Sequence, residues 1–185
     1  MKNSSVGLIL AKSQSKRLPN KNTLDFNGEP MFVTNLRKCL KIFDKVYVSS
    51  DSPSILDIAF QVGAVPIKRP ESLCGDTPNI TVYQHALEFM DNPDYIVAVQ
   101  ANSPTVPEQL IYQVNELMKE GVEEVMTCHP DYSIYGSIWA IAIDKLNHYG
   151  DPYKPTPSFL VTDNSVDIHT EEDLINAKCQ SKLQS

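Results

Sequence analysis

The sequence predicts an α/β fold: three layers, with a mostly parallel sheet between helices. Short apolar runs alternate along the chain with segments of helical period. One run, Tyr95 to Gln100, is almost continuously apolar, as in a strand covered on both faces. The length, 185 residues, suffices for one domain with a full core and leaves no room for a second of ordinary size, so a single domain over 1–185 is expected.

In chain order, Val6 to Ala11 reads as a buried strand. Met31 to Phe43 follows helical spacing, with Phe32, Val33, Leu36, Leu40 and Phe43 on one side. Lys45 to Ser50 is a second strand, through Val46, Tyr47 and Val48. Pro53 to Val62 is a helix: Ser52 is placed to cap it, Pro53 takes its first position and Gly63 ends it. Val65 to Lys68 is a short strand, Asn79 to Met90 a helix and Tyr95 to Gln100 a strand. Pro107 to Glu120 is a helix opened by proline and stopped by Gly121. Glu124 to Cys128 and Ile138 to Ile143 are further strands. Thr170 to Lys182 is the last helix, with Thr170 as cap and Asp173 three residues on, close to a capping box. Crossovers in such a sheet are right-handed, and ligands bind outside the carboxyl ends of the strands. The loops after Ala11, Ser50, Gln100 and Val166 are therefore the ones to watch.

Apolar residues make up 42% and charged residues 21%, with a net charge of −7. A general nucleic-acid binder needs a basic face, and this balance argues against one. Cys39, Cys74, Cys128 and Cys179 show no paired C-x-x-C spacing, which points to reduced thiols rather than a zinc site or a disulfide framework. No apolar run approaches the roughly 20 residues of a membrane span. Met1 to Ser5 lacks the long apolar segment of a signal peptide, so a cytosolic protein is expected.

The strongest signal is the loop after the first strand, Ala11-Lys12-Ser13-Gln14-Ser15-Lys16-Arg17-Leu18-Pro19-Asn20-Lys21-Asn22. Lys12, Lys16, Arg17 and Lys21 concentrate positive charge there in an otherwise acidic chain. A triphosphate is the natural anion, since lysine serves phosphate as a point charge and Ser13, Ser15 and backbone N–H groups add donors. The bland alternative is an ordinary solvated basic loop. Neither the Walker A pattern nor G-x-G-x-x-G is present, so phosphate contact must rely on side chains.

This segment resembles the opening motif of the acylneuraminate cytidylyltransferases, I-x-A-R-x-x-S-K-x-x-P-x-K-N, through Ala11, Ser15, Lys16, Pro19, Lys21 and Asn22. Further matches follow in order. They are Asn27-Gly28-Glu29-Pro30, Val48-Ser49-Ser50-Asp51, Lys68-Arg69-Pro70-Glu71 with Leu73 and Gly75-Asp76-Thr77, Val99-Gln100 with Ser103-Pro104, and Asp167-Ile168-His169-Thr170-Glu171-Glu172-Asp173-Leu174. The resemblance implies a Rossmann-like nucleotide-diphospho-sugar transferase fold. It implies transfer of CMP from CTP to an acidic, sialic-acid-like sugar with release of pyrophosphate. By resemblance Lys12, Lys16 and Lys21 bind the triphosphate, with Lys21 the best candidate for stabilising the transition state. Ala11, Ser13, Ser15, Asn22, Arg69 and Asp76 are assigned to the nucleotide, and Gln100, Asn102 and Ser103 to the sugar. Asp167 is expected to carry Mg²⁺, with His169 beside it as a doubtful ligand.

The chain departs from the family at several places. Lys12 stands where the family has arginine, which keeps charge but loses bidentate geometry. His169 replaces the second carboxylate of the closing D-I-D, and Mg²⁺ disfavours imidazole. The family's L-Q-P-T-S-P reads Val99-Gln100-Ala101-Asn102-Ser103-Pro104, without the arginine that often follows. A related family, which loads a deoxy-octulosonate sugar, carries a metal-binding aspartate in the slot of Asn102. Met126 to Ile143 runs almost directly from strand to strand, where the family inserts a segment that contacts a second subunit; a homodimer is left open. Two other readings stand beside this one: a nucleotidylyltransferase using another base or a sugar phosphate, and a non-catalytic nucleotide-binding protein on the same fold. Asp51 and Asp76 also read as structural strand and loop ends, and His85 as a plain helical residue. Tyr132, Tyr135, Trp139, Tyr149 and Tyr153 read first as packing, and Asp131 to Gly136 and Gly150 to Ser158 as loops that set the acceptor.

Overall fold

Residues 4–183 are described in a computed structural model. The strands are β1 (Ser5–Leu10), β2 (Asp25–Phe26), β3 (Glu29–Pro30), β4 (Val46–Ser50), β5 (Val65–Lys68), β6 (Tyr95–Gln100), β7 (Glu124–Cys128), β8 (Ile134–Ala142) and β9 (Phe159–Thr162). The α-helices are α1 (Met31–Ile42), α2 (Pro53–Val62), α3 (Asn79–Leu87), α4 (Glu108–Lys119), α5 (Ile143–Asn147) and α6 (Glu171–Leu183). Seven strands form one sheet in the order β5-β4-β1-β6-β8-β7-β9, and β2 and β3 form a separate hairpin. The pairings of β5, β4, β1 and β6 are parallel, as is that of β7 with β9; β8 runs antiparallel to both its neighbours. The mostly parallel three-layer arrangement expected from the sequence is thus the one observed.

Burial explains the central strands. Leu8 and Ile9 point to opposite faces of β1 and both have no exposure. On one face Ile9, Val48, Val97 and Val99 pack with Phe32 and Leu36 of α1, Ile55 of α2 and Ile111 of α4. On the other, Leu8, Tyr47, Ile96 and Ala98 pack with Ile80 and Tyr83 of α3 and Leu146 of α5. A third cluster joins Leu18, Phe26, Met31, Ile168 and Ala177. It ties the basic loop to the segment before α6, which the sequence separates by some 150 residues.

The helix signals hold in detail. Ser52 Oγ accepts from the N–H of Ile55 at 3.4 Å, and Gly63 closes α2 with φ 110°. The capping box of α6 is complete: Asp173 N–H donates to Thr170 Oγ1 at 3.2 Å, and Thr170 N–H to Asp173 Oδ2 at 2.8 Å. Several elements differ from expectation. The turn at Asn27-Gly28 is the tip of the β2–β3 hairpin, both residues having positive φ as a two-residue hairpin loop requires. α3 stops at Leu87 rather than Met90. β8 starts at Ile134 and yields at Ala142 to the short helix α5, where a strand to Ile143 was expected. β9 was not foreseen. Its four residues follow a proline-rich stretch, and it gains strand character only by pairing with β7. Because β9 runs parallel to β7, Gly150 to Ser158 lies at the amino edge of the sheet, where Ser158 N–H donates to the Glu124 carbonyl. That segment is on the opposite side of the sheet from the strand ends expected to hold ligand, which removes it from the acceptor-setting loops. Tyr149 is there too, and its hydroxyl donates to Glu124 Oε1.

Two α1 side chains hold the loop after β6. Asn35 Nδ2 donates to the carbonyls of Gln100 and Ser103 at 2.9 and 2.8 Å. Lys38 Nζ donates to the carbonyls of Pro104 and Val106 and to Asn35 Oδ1. Burial pushes the Lys38 ammonium down from 10.5 to about 8. Its folded value lies below its unfolded one, so between these two pH values the unfolded chain holds the extra proton. The resulting contribution to stability is complete above about 10.5 and is lost as pH falls through about 8. Comparing urea midpoints of wild type and Lys38→Met from pH 7 to 10.5 should show a rising wild-type increment that the variant lacks.

Candidate functional site

The carboxyl ends of β1, β4 and β5 open onto a cavity of ≈ 570 Å³ lined by Lys12, Ser15 and Lys16 of the basic loop, by Lys68 and Arg69 at the end of β5, and by Gly75 and Asp76. Beneath it a smaller crypt, ≈ 100 Å³, reaches Lys21, Asn22, Thr77, Asn79, Gln100 and Asn102 and shares Lys12 and Arg69 with the larger one.

The basic loop is fixed at its root. Ala11 is fully buried and its N–H donates to the Ser49 carbonyl at 3.1 Å. Asp51 accepts both the N–H (2.8 Å) and the hydroxyl of Ser13. Burial raises the Asp51 carboxyl, but these Ser13 donors outweigh it and hold the group below its ordinary range. Ser13 thus has its donors engaged with Asp51 within the protein. Asn22 is buried and donates to the Lys12 carbonyl at 2.8 Å. The tip is looser. Lys12 Nζ donates to the Gly75 carbonyl at 3.1 Å, and Lys16 pairs with Asp76 at 2.8 Å, both side chains being largely exposed. Asp76 is held low by this lysine, and both lysines are free to exchange these contacts for an anion in the cavity.

Lys21 differs from the other lysines of the loop. It is 9% exposed, and its Nζ donates to the Ile168 carbonyl at 3.0 Å. Burial pulls its pKa from 10.5 down to about 8; the Asp167 charge opposes that fall, while Arg17 and Lys12 deepen it. Arg69 is buried as well, with Nε and Nη2 donating to the hydroxyl and carbonyl of Ser49 at 3.2 and 2.8 Å, and burial lowers its pKa. Two desolvated cations thus face a crypt whose lining includes the carboxamides of Asn22, Asn79, Gln100 and Asn102.

Asp167 and His169 stand across from the basic loop. Their segment is anchored from below: Asp163, 2% exposed, accepts from the N–H and hydroxyl of Ser165 and from the Ser137 hydroxyl. Val166 N–H donates to Thr105 Oγ1, and Ile168 N–H to the Asn102 carbonyl, both at 2.8 Å. Asn102 Nδ2 donates to Asp167 Oδ1. His169 Nε2 lies 2.7 Å from Asp167 Oδ2, and Arg17 Nη2 lies 2.7 Å from His169 Nδ1. Guanidinium only donates, so Nδ1 is the acceptor and Nε2 carries the proton given to Asp167. Both ring nitrogens of His169 thus have partners within the protein.

Among the described residues no three His, Cys, Asp or Glu side chains converge as a ready metal cage. Asp167 offers one hard carboxylate, which suits Mg²⁺ brought in on phosphate oxygens with its own waters. Ser103 was expected at the sugar, yet it is fully buried, its Oγ accepting from the Tyr135 hydroxyl at 2.9 Å. The Gln100 and Asn102 side chains do line the crypt. Lys68 and Thr77, quoted above only for their motif, and Asn79, read only as the start of a helix, join the lining, and Arg17 gains a partner in His169. Polar residues at the first turn of a helix, as at Asn79, carry no sequence signal that separates capping from binding.

Among the described residues no helix is long and apolar enough to cross a membrane. A family model described as cytidylyltransferase matches residues 6–175. A pseudaminic acid cytidylyltransferase of Campylobacter jejuni is 33% identical over 117 residues, which is 59% of this chain and 50% of that protein. A 3-deoxy-manno-octulosonate cytidylyltransferase of Francisella tularensis subsp. novicida is 32% identical over 121 residues, 65% of this chain and 48% of that one. The chain thus spans about half the length of the curated relatives it matches. Among solved structures, a CMP:2-keto-3-deoxy-manno-octonic acid synthetase complexed with CTP superposes with TM-score 0.79 at 15% identity, covering 98% of this chain and 100% of that one. A cytidylyltransferase from Leptospira borgpetersenii gives 0.74 at 20% identity, covering 97% and 87%. At these identities the structural likeness speaks for the fold.

Proposed function

Because the chain belongs to the cytidylyltransferase family, we propose that it transfers CMP from CTP to a hydroxyl of an acidic ulosonic sugar and releases pyrophosphate. The observation that carries the reading is the gathering of Lys12, Lys16, Lys21 and Arg69 on one cavity and its adjoining crypt at the carboxyl edge of the sheet. The relatives' named acceptors, pseudaminic acid and 3-deoxy-manno-octulosonate, suggest the substrate class.

The sugar oxygen attacks the α-phosphorus, the bond from that phosphorus to the bridging oxygen breaks, and pyrophosphate departs with the electron pair. The hydroxyl proton passes to solvent or to a phosphate oxygen. Lys12 and Lys16 leave Gly75 and Asp76 to take the β- and γ-phosphates. Lys21, fixed by the Ile168 carbonyl, faces the charge that grows on the α-phosphoryl group. Asn22 and Arg69 frame the cytidine, and Gln100 and Asn102 meet the sugar. Ser13 and Ser103 serve as scaffold. Asp167 would hold a Mg²⁺ brought in with the nucleotide, and the chemistry such an ion would supply is neutralisation of triphosphate charge.

A thermal-shift series with the four nucleoside triphosphates and Mg²⁺, followed by pyrophosphate release across a panel of ulosonic acids, tests the reading. CTP alone among the four should raise the melting temperature, as expected for a ligand that binds only the native state. Turnover should require an ulosonic acid. Stabilisation by CTP with no turnover on any acid would mark a nucleotide-binding protein instead. Equal response to all four triphosphates would remove the assignment to cytidine.

A further inference from the structure

Asp167 is surrounded by donors and cations. Its Oδ1 accepts from Asn102 Nδ2 and its Oδ2 from His169 Nε2, while Lys21 and Arg17 both reach His169 Nδ1, at 3.4 and 2.7 Å. Asp173, the acid of the capping box, is turned into the helix cap, where Oδ2 accepts from the N–H groups of His169 and Thr170 at 2.9 and 2.8 Å. Across the cavity, Asp51 is spent on Ser13 and Asp76 on Lys16. A free dication approaching Asp167 therefore meets the charges of Lys21 and Arg17, and among the described residues no group of three or more His, Cys, Asp or Glu side chains gathers to hold it. A triphosphate reverses that balance, because it supplies further hard oxygens and neutralises Lys21 and Arg17.

We infer that a divalent ion occupies Asp167 only as a complex with the nucleotide, and that His169 is a positioning residue that aims the Asp167 carboxylate at that complex. The inference rests on the nucleotide reading above. The chain Arg17–His169–Asp167 fixes the ring tautomer: Arg17 donates to Nδ1, so Nε2 presents its N–H to the carboxylate. Both Asp167 oxygens are pinned by N–H donors, Nδ2 of Asn102 and Nε2 of His169. Each keeps a lone pair for a metal, and the carboxylate does not swing onto Lys21. His169 thereby takes the role of an orienting partner at a position where a carboxylate would have been a ligand.

The test uses the full chain with Mn²⁺ as the paramagnetic probe and no acceptor sugar, reading free Mn²⁺ by electron paramagnetic resonance. Wild type should leave Mn²⁺ free without nucleotide and capture it when CTP is added. His169→Leu should weaken capture of the Mn²⁺–CTP complex by about tenfold or more, the usual cost of losing a partner that orients a ligand. His169→Gln, whose amide N–H reaches the same oxygen, should restore it. His169→Asp should bind Mn²⁺ without nucleotide. Nucleotide-free Mn²⁺ binding by wild type that disappears in Asp167→Asn would overturn the inference. Capture unchanged in His169→Leu would overturn the positioning role. Failure of wild type to bind CTP at all, by the melting shift described above, would instead overturn the nucleotide reading and the inference with it.

Discussion

Lys21→Met is expected to lower turnover of CTP by about 10²–10³-fold, the usual cost of removing one preorganised charge or donor from a developing anionic transition state. The melting temperature should stay near that of wild type. The reason lies in the burial of Lys21. A cation whose pKa has been pulled down to about 8 by desolvation is held at a cost to the folded state. A methionine of similar length fills the same space without that cost, leaving the Ile168 carbonyl without its donor and removing the longer contact to His169 Nδ1. Loss of function with retained stability separates a role in chemistry from one in folding. The same shift predicts a pH dependence. Lys21 must be charged to meet a triphosphate, so CTP affinity should be level below about pH 8 and decline above it, as the free protein loses that proton. Isothermal titration with CTP from pH 6.5 to 9.5 reads this directly. Lys21→Arg keeps its charge throughout that range and should abolish the decline, with partial activity because the planar fork does not reproduce a point ammonium.

Glu124→Ala is expected to destabilise the fold by about 3–5 kcal/mol, the range for breaking a buried ion pair by removing one partner. Glu124 opens β7 with no exposure at all. Its Oε1 accepts from Trp139 Nε1 and from the Tyr149 hydroxyl, both at 2.8 Å, and its Oε2 lies 2.7 Å from Lys145 Nζ. Alanine leaves the indole N–H, the phenol and a three-quarters-buried ammonium without their acceptor. At about 2–4 °C per kcal/mol for a chain of this size, the melting temperature should fall by about 6–20 °C. Glu124→Gln keeps the Oε1 acceptor and should cost markedly less. This cluster lies at the amino edge of the sheet, so CTP affinity measured well below the transition should be unchanged in both variants.

The contrast between these two residues shows what was legible in the chain. Lys21 belongs to a motif that crowds cations behind a strand end, and charge density in an acidic protein is visible without coordinates. Glu124 lies in a strand segment that reads as an ordinary polar start, and nothing near it in sequence announces the indole, phenol and ammonium that converge on it. Trp139 and Tyr149 read correctly as packing residues, but which acceptor they share depends on the β7–β8 register, in which Glu124 pairs with Ile141. Ser103 shows the opposite failure. It matches a motif and yet sits fully buried, because Asn35 on α1 draws its carbonyl inward while Tyr135 occupies its hydroxyl.

By itself the sequence determined the alternation of β and α elements, the helix caps at Ser52 and Thr170, and the loop that carries Lys12, Lys16 and Lys21. These are matters of local period, capping and charge, and neighbours within a few residues decide them. Tertiary structure alone decided that β8 is reversed, that β9 exists, and that Gly150 to Ser158 falls on the far edge from the cavity. It also decided that Lys21 is desolvated, and that His169 turns its two ring nitrogens to Arg17 and Asp167. Strand pairing, burial and ring orientation are set by partners far away in sequence, here the packing of Leu18 with Ile168 that brings the basic loop against the segment before α6.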